Sequence, residues 1–410
     1  MLQNKRLQRL QIAVAALVLS VLCLLPAVQA SAATVATPTG VKQTAGTATG
    51  IQFGWNPVAG ATQYGCSYSA DGTNWSNEVL TTSTLQVFNG LAASKTYYVR
   101  VRAYNGGWGA YSASLAVVTA PKACSTVKET AATTNSFTIA WNAVEGVSGY
   151  NIWVGKGSEA TKLVKTTAST TTALIIKGLS ADTKYTVEVV PFMKSAAGFS
   201  ACADAKRNKN VVTMAKSVKN VKLNAWNSST GEISVKWKNK AKYEDGYEVQ
   251  LLSTKGKKVK SFSVKGSTAK GITVQTTKLL SKGGKMRVRA YKELDGKKSY
   301  GDWSKEVVIV PTATATAQKI SDSAVTVSWK KVKGAQGYTI YYSTQPNAGY
   351  TKLATVSSGT TSYTFQNLNK DTTYYVYVSA NKVKIGKKRY SSTAVPTKSP
   401  VTVTVAEQAK

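Results

Sequence analysis

The chain contains no histidine among its 410 residues. That removes the commonest general base and the commonest metal ligand, and with them every triad that depends on an imidazole. Acidic residues are scarce, 19 Asp and Glu against 53 Lys and Arg. A glycosidase needs two carboxylates at a set separation across the scissile bond. Here the acids are scattered, and the one adjacent pair, Glu244-Asp245, sits in a turn. There is no Cys/His metal spacing, no phosphate-cradling glycine loop and no Arg-Gly-Asp. The sequence therefore predicts a protein that is not an enzyme and needs no cofactor. Long helix-forming runs of Leu, Glu and Ala are also missing, whereas Thr, Ser, Val and Tyr recur, which favours strands. Hydrophobic residues reach 43%, enough to bury a core.

The first thirty residues are a separate object. Lys5, Arg6 and Arg9 precede a mostly apolar run from Leu10 to Leu25, followed by Pro26 and small-residue patterns at Val28-Gln29-Ala30 and Ala30-Ser31-Ala32. This predicts a signal peptide over 1–32, with an apolar run short for a membrane span. Cys23 has no small residue before it, which argues against a lipid anchor. No second hydrophobic span follows. The expectation is a secreted, extracellular protein without a transmembrane span once the leader is removed.

Self-comparison shows a repeat, the feature that most constrains the fold. Trp55, Trp141, Trp237 and Trp329 lie 86, 96 and 92 residues apart. Each closes an alternating run: Ile51/Phe53, Phe137/Ile139, Ile233/Val235 and Val325/Val327. That is a period-two strand with one face buried. Nine or ten residues later a tyrosine opens a second strand, at Tyr64, Tyr150, Tyr247 and Tyr338, after turn-forming residues. A leucine six residues before another tyrosine marks a third, at Leu91/Tyr97, Leu179/Tyr185 and Leu368/Tyr374.

These landmarks resemble the fibronectin type III family over essentially all of residues 34 to 407. The Trp matches its strand B, the Tyr its strand C, and Leu-x5-Tyr-x-Val-x-Val its strand F. The resemblance implies an all-β chain of four tandem immunoglobulin-like antiparallel β-sandwiches, at 34–120, 121–215, 216–312 and 313–407. It also implies a strand-F tyrosine corner tied back to the backbone. Repeat three departs, because Gly284 stands where that tyrosine belongs, so its corner should be absent. The joints at Ala120-Pro121, Ala215-Lys216 and Pro311-Thr312 are short, which predicts an extended, semi-rigid array on the order of 120 Å long.

Cys66 falls in the slot held by Ile152, Val249 and Ile340 in the other repeats, so it should point into the core as a small hydrophobe. Cys124 and Cys202 fall in the first and last strands of repeat two, and a disulfide between them is the expectation in an exported protein.

The net charge of +34 is unevenly spread: +2 over 34–120, +5 over 121–215, +14 over 216–312 and +10 over 313–410. Two clusters fall on turns. One is Lys255, Lys257, Lys258 and Lys260 in repeat three; the other is Lys382, Lys384, Lys387, Lys388 and Arg389 at the F–G hairpin of repeat four. Lys236, Lys238, Lys240 and Lys242 alternate along and beyond the Trp237 strand, the first two projecting to solvent. Lysine on turns and edges serves solubility and edge protection, or it attracts an anionic polymer of cell wall or glycan. The dominance of Lys over Arg suits diffuse attraction more than bidentate recognition. Nucleic acid as the main partner is disfavoured by export and by the lack of a nucleic-acid module. Repeat one is nearly neutral, and its F–G loop carries Tyr104, Trp108 and Tyr111. Trp108 between glycines at a hairpin tip either presents a contact aromatic or folds back over its own sheet. Trp75 is expected to pack, since Tyr350 occupies a comparable place in repeat four. The sequence leads to a secreted binding or adhesion protein. The alternative is a structural spacer or a subunit of a larger extracellular assembly with a protein partner.

Overall fold

The computed structural model describes residues 34–227, 231–238, 242–277, 279, 283–311, 313–346, 348–391 and 401–405. The expected leader, residues 1–32, and Lys240 lie outside them. All regular structure among the described residues is β-strand, and every strand pairing is antiparallel.

In the first repeat, Gly50–Gly54 lies between Lys42–Thr47 and Leu85–Asn89 in a three-stranded sheet. Val79–Thr81, Gln63–Ser69, Thr96–Tyr104 and Leu115–Val118 form a four-stranded sheet in that order. The same pair of sheets recurs three more times. The tryptophan strands Ser136–Trp141, Glu232–Lys238 and Ala324–Trp329 each hold the centre of a three-stranded sheet. The tyrosine strands Gly149–Lys156, Gly246–Leu252 and Gly337–Ser343 each lie inside a four- or five-stranded one. Tandem antiparallel β-sandwiches, each of two sheets, are the architecture.

Alternation explains the cores. Ile51, Phe53, Cys66, Val99, Val101 and Trp55 are buried together in the first sandwich, and Ile233, Val235, Trp237, Val249 and Val288 in the third. Val325, Val327, Trp329, Ile340 and Val376 fill the fourth. The tryptophan and tyrosine of each repeat meet edge-on or tilted, with centroids 5.3, 5.4, 5.2 and 5.5 Å apart along the chain. Cys66 is fully buried, and burial pushes its thiol up to about 12. It is a core hydrophobe.

The polar ends of the tyrosines hold turns. The hydroxyls of Tyr64, Tyr150 and Tyr338 accept from the amides of Val58, Val144 and Val332, each at 2.9 Å. The corner tyrosines Tyr97, Tyr185 and Tyr374 accept from the amides of Ala92, Ser180 and Asn369 at 3.0, 2.9 and 2.9 Å. In repeat three Gly284 takes the corner position and Tyr247 donates to the Ser267 carbonyl at 3.3 Å, while Ala241, the residue six before it, lies outside the described residues. A Cβ at Gly284 would lie 2.4 Å from the Leu252 carbonyl oxygen and 3.0 Å from Leu279, whose side chain fills the space. Gly284→Ala should therefore destabilise by about 1–3 kcal/mol through overpacking. Urea unfolding followed by tryptophan fluorescence would measure it.

By compactness the chain divides into two units. One holds the residues up to Lys122 with Glu145–Ser148 and Phe192–Ala203; the other holds Ala123–Val144, Gly149–Pro191 and Asp204–Lys410. In the first unit Val118, Ala120 and Ala201 form a small buried cluster lined by Met193 and Phe199.

The expected Cys124–Cys202 disulfide is not formed, and both thiols are free. The last long strand of repeat two is Lys206–Val212, whereas Cys202 sits on the short strand Ser200–Cys202, opposite Phe192 at the end of Lys184–Lys194. Cys202 is exposed there while Cys124 is buried.

Candidate functional site

Two arrangements of charge and aromatics stand out, one on the sheet faces of repeats one and three and one on the turns of repeats three and four.

On repeat one, the strand Thr96–Tyr104 turns its valines inward, so Arg100 and Arg102 project from the outer face. Aromatic rings interleave with them. The Arg100 guanidinium lies 4.0 Å from the Trp75 ring centroid and 3.9 Å from that of Tyr111. Arg102 lies 4.8 Å from Tyr111 and 4.4 Å from Trp108, and Trp108 meets Tyr104 at 5.0 Å. Arg102 also forks onto Glu78, Nε and Nη2 donating at 2.7 and 2.6 Å, while the Tyr111 hydroxyl donates to the same carboxylate at 2.6 Å. Burial pulls the Glu78 carboxyl up, but the hydrogen bonds from Arg102 and Tyr111 outweigh it and hold the group below its ordinary value. Gly65, directly across from Arg102, makes room for that carboxylate: a Cβ there would sit 2.4 Å from Glu78 Oε1.

The same ladder recurs on repeat three. Arg289 lies over Tyr300 and Trp303 at 3.5 and 4.2 Å, and Arg287 over Trp303 at 4.3 Å. Its carboxylate comes from Glu248, directly opposite Arg289, with Arg289 Nε donating at 2.8 Å. Ser112 and Ser304 complete the motif, their hydroxyls accepting from Val101 and Val288 at 3.2 and 3.0 Å. Repeats two and four have no Arg-x-Arg at this position; in repeat four Tyr377 stacks on Tyr341 at 4.7 Å and meets Tyr350 edge-on at 5.0 Å.

Of the sequence candidates, Tyr104, Trp108 and Tyr111 are brought together, but Trp108 is not a free tip. It folds back so that one face covers Arg102, and 37% of it stays exposed. Trp75 packs, as expected. Trp108→Ala should cost repeat one about 1–2 kcal/mol through the lost stacking, read as a lower thermal midpoint of the full chain. Sequence reasoning overlooked a different apolar edge on this repeat, where Val79, Leu80, Leu85 and Val87 are 42%, 52%, 40% and 45% exposed. The outward alternation of Leu85 and Val87 in Leu85–Asn89 was the available signal.

The nine cationic candidates are all exposed: Lys255, Lys257, Lys258, Lys260, Lys382, Lys384, Lys387, Lys388 and Arg389. None of them is ion-paired among the described residues. Lys260 lies 4.9 Å over the Phe262 ring, and Arg389 donates to the carbonyls of Gly334 and Lys382 at 3.4 and 3.0 Å. Lys236 and Lys238 are exposed on either side of buried Trp237.

The carboxylates that could be mistaken for a catalytic pair are structural. Glu129, on the first strand of repeat two, accepts from the Val212 amide at 3.3 Å and faces Lys292 Nζ at 3.6 Å. Burial pushes its carboxyl up to about 7, against the pull of Lys292 and Val212. Beside it Ala132 donates to Ser299 Oγ at 3.0 Å and Lys128 pairs with Asp295 at 2.6 Å. Because the folded value lies above the ordinary 4.5, the folded state binds this proton more tightly than the unfolded chain. Its contribution to stability is complete below about 4.5 and is lost as pH rises through about 7. Wild type minus Glu129→Gln should therefore show a stability difference that shifts in favour of wild type on going from pH 8 to pH 5, measured by urea titration at each pH. Glu244, whose carboxyl is also raised by burial, caps the Ala215 amide at 2.8 Å. A cleft of about 740 Å³ lies next to it, lined by Asn135, Leu179, Asp182, Lys219, Lys238 and Tyr247. Among the described residues no group of three His, Cys, Asp or Glu could hold a metal, and no helix is long and apolar enough to cross a membrane.

The two-sheet sandwich with a corner tyrosine defines a class of modular β protein. Residues 36–118 and 310–397 match the fibronectin type III domain and are domains of that family. The chain is 31% identical to Chitinase A1 of Niallia circulans over 210 residues, which is 47% of this chain and 28% of that protein, so it spans less than a third of the relative's length. Among solved structures, a two-domain fibronectin type III segment of chicken tenascin is 20% identical with a TM-score of 0.25, covering 42% of this chain and 97% of that one. The chicken CNTN1 FN1–FN3 domains are 17% identical with a TM-score of 0.22, covering 70% of this chain and 100% of that one.

Proposed function

We propose that this chain is a secreted, non-catalytic binding protein whose cationic third and fourth repeats associate with an anionic polymer of cell wall or glycan. The observation that carries the reading is the exposure of nine basic side chains on two hairpins, with no carboxylate paired to any of them among the described residues. Elsewhere on the chain the arginines of the sheet faces are paired and stacked, as Arg102 and Arg289 show. Charge left unpaired on tight turns is available to a partner. The similarity to a protein named Chitinase A1 supports a polysaccharide setting.

Retention of the full chain on an immobilised anionic wall polymer, against a neutral polysaccharide, tests the reading. Retention on the anionic polymer that salt releases is the expected result. Equal retention on both matrices, or none on either, would overturn it. A second reading, a spacer within a larger assembly, is favoured by the Arg–aromatic ladders of repeats one and three, which turn their aromatic faces to their own sheets. It predicts a specific protein partner by crosslinking and no polymer binding.

A further inference from the structure

The two lysine clusters stand in different repeats, about 130 residues apart in sequence, yet the fold sets their turns against each other. At the tip of the repeat-four hairpin, a Cβ on Gly386 would lie 3.5 Å from the Thr254 carbonyl oxygen, in the turn that carries Lys255. Both turns are held firmly. In repeat three, Ser253 accepts from Gly256 and exchanges bonds with Lys257: its amide donates to the Lys257 carbonyl at 2.8 Å, and its hydroxyl accepts the Lys257 amide at 3.1 Å. In repeat four, Val383–Ile385 pairs with Lys388–Tyr390, and Val383 and Ile385 are buried in the core of the fourth sandwich. Alternation along that strand then forces Lys384 outward, and the two-residue tip leaves Lys387 exposed. Gly256 and Gly386 have φ of +82° and +64°, the left-handed turn conformation that glycine adopts at no steric cost.

We infer that the two turns form one composite cationic site, taking a single flexible, linear polyanion that runs from Lys255, Lys257 and Lys258 to Lys384, Lys387 and Lys388. The inference rests on the anionic-polymer reading above and adds to it that the site is shared by two modules. Six like charges placed together repel one another, and a polymer that neutralises both turns relieves this while releasing its own counterions. Once one turn holds the chain, the second binds it at high effective concentration, so a polyanion long enough to touch both gains affinity without any new kind of contact. Lysine suits this task, being a mobile point charge with no bidentate geometry to satisfy.

The test uses the full chain with inorganic polyphosphate as the probe, in a short form of three phosphates and a long form of about twenty. Two variants, Lys255→Gln/Lys257→Gln/Lys258→Gln and Lys384→Gln/Lys387→Gln/Lys388→Gln, are compared with their combination; all six positions are exposed, and thermal melting checks that the fold is kept. The expected result is that wild type binds the long probe at least tenfold more tightly than the short one. Either triple variant should abolish that length preference and leave only weak one-turn binding, which the combination should remove. If each triple variant instead lowers the number of long probes bound while the remaining site keeps the wild-type affinity and length preference, the turns are separate sites and the composite is wrong, while polymer binding stands. If wild type binds neither probe at low salt, both the composite and the reading beneath it fall.

Discussion

Trp237→Ala should remove about 3–5 kcal/mol from the third sandwich. The ring is 4% exposed, tilted against Tyr247 at 5.2 Å, and shares a core with Trp226, Ile233, Val235 and Val288. A domain of this size has roughly 5–15 kcal/mol in total, so the loss takes a large part of it. The third sandwich also has the least in reserve. It has no corner tyrosine, because Gly284 stands at that position. Limited proteolysis of the variant in mild urea should give first cuts within 216–312, while the first and fourth sandwiches, whose buried clusters are distinct, stay intact. Trp237→Phe is the control. The indole Nε1 is buried without a hydrogen-bond partner, so its removal loses no bond and the cost should be the smaller one of a reduced ring. Simultaneous loss of all sandwiches on Trp237→Ala would mean that the cores are not independent.

The landmark residues made the fold legible because each one is decided locally. Alternation fixes which face of a strand is buried, and a tryptophan on that face has only the opposite sheet to meet. Cys66 could be read as core from its slot alone, and the missing corner at Gly284 from alignment with Tyr97. The candidate site was less legible, since its partners come from separate strands. Arg100 and Arg102 were visibly outward-facing in Val99-Arg-Val-Arg-Ala-Tyr104, but nothing local says that Trp75, Tyr111 and Trp108 converge on them. Glu78 joins them only because Gly65 leaves space across the sheet. Cys202 was misplaced for a related reason: the break between Ser200–Cys202 and Lys206–Val212 divides what reads in sequence as one closing strand. The lysine clusters were found as clusters, but their meeting at Gly386 and Thr254 depends on how consecutive sandwiches pack.

Polymer binding should weaken steeply with salt. Where the contacts are lysine to polymer charge, each neutralised charge contributes a slope of about −0.7 in log affinity against log salt for a single-stranded polyanion. Six to nine engaged basic side chains then give a slope of about −4 to −6, so raising salt from 50 to 200 mM should weaken binding by roughly 10²–10⁴-fold. The effect belongs to exposed, unpaired charge; the Glu78–Arg102 and Glu248–Arg289 pairs, stacked under aromatic rings, should leave it unchanged.

Titrating the full chain with a long anionic polymer at four salt concentrations is the most direct test of the account. A linear plot with a slope near −4 or steeper, flattened by replacing the lysines of the two turns with glutamine, is what it predicts. A slope near zero, or one that those replacements leave unaltered, would contradict it.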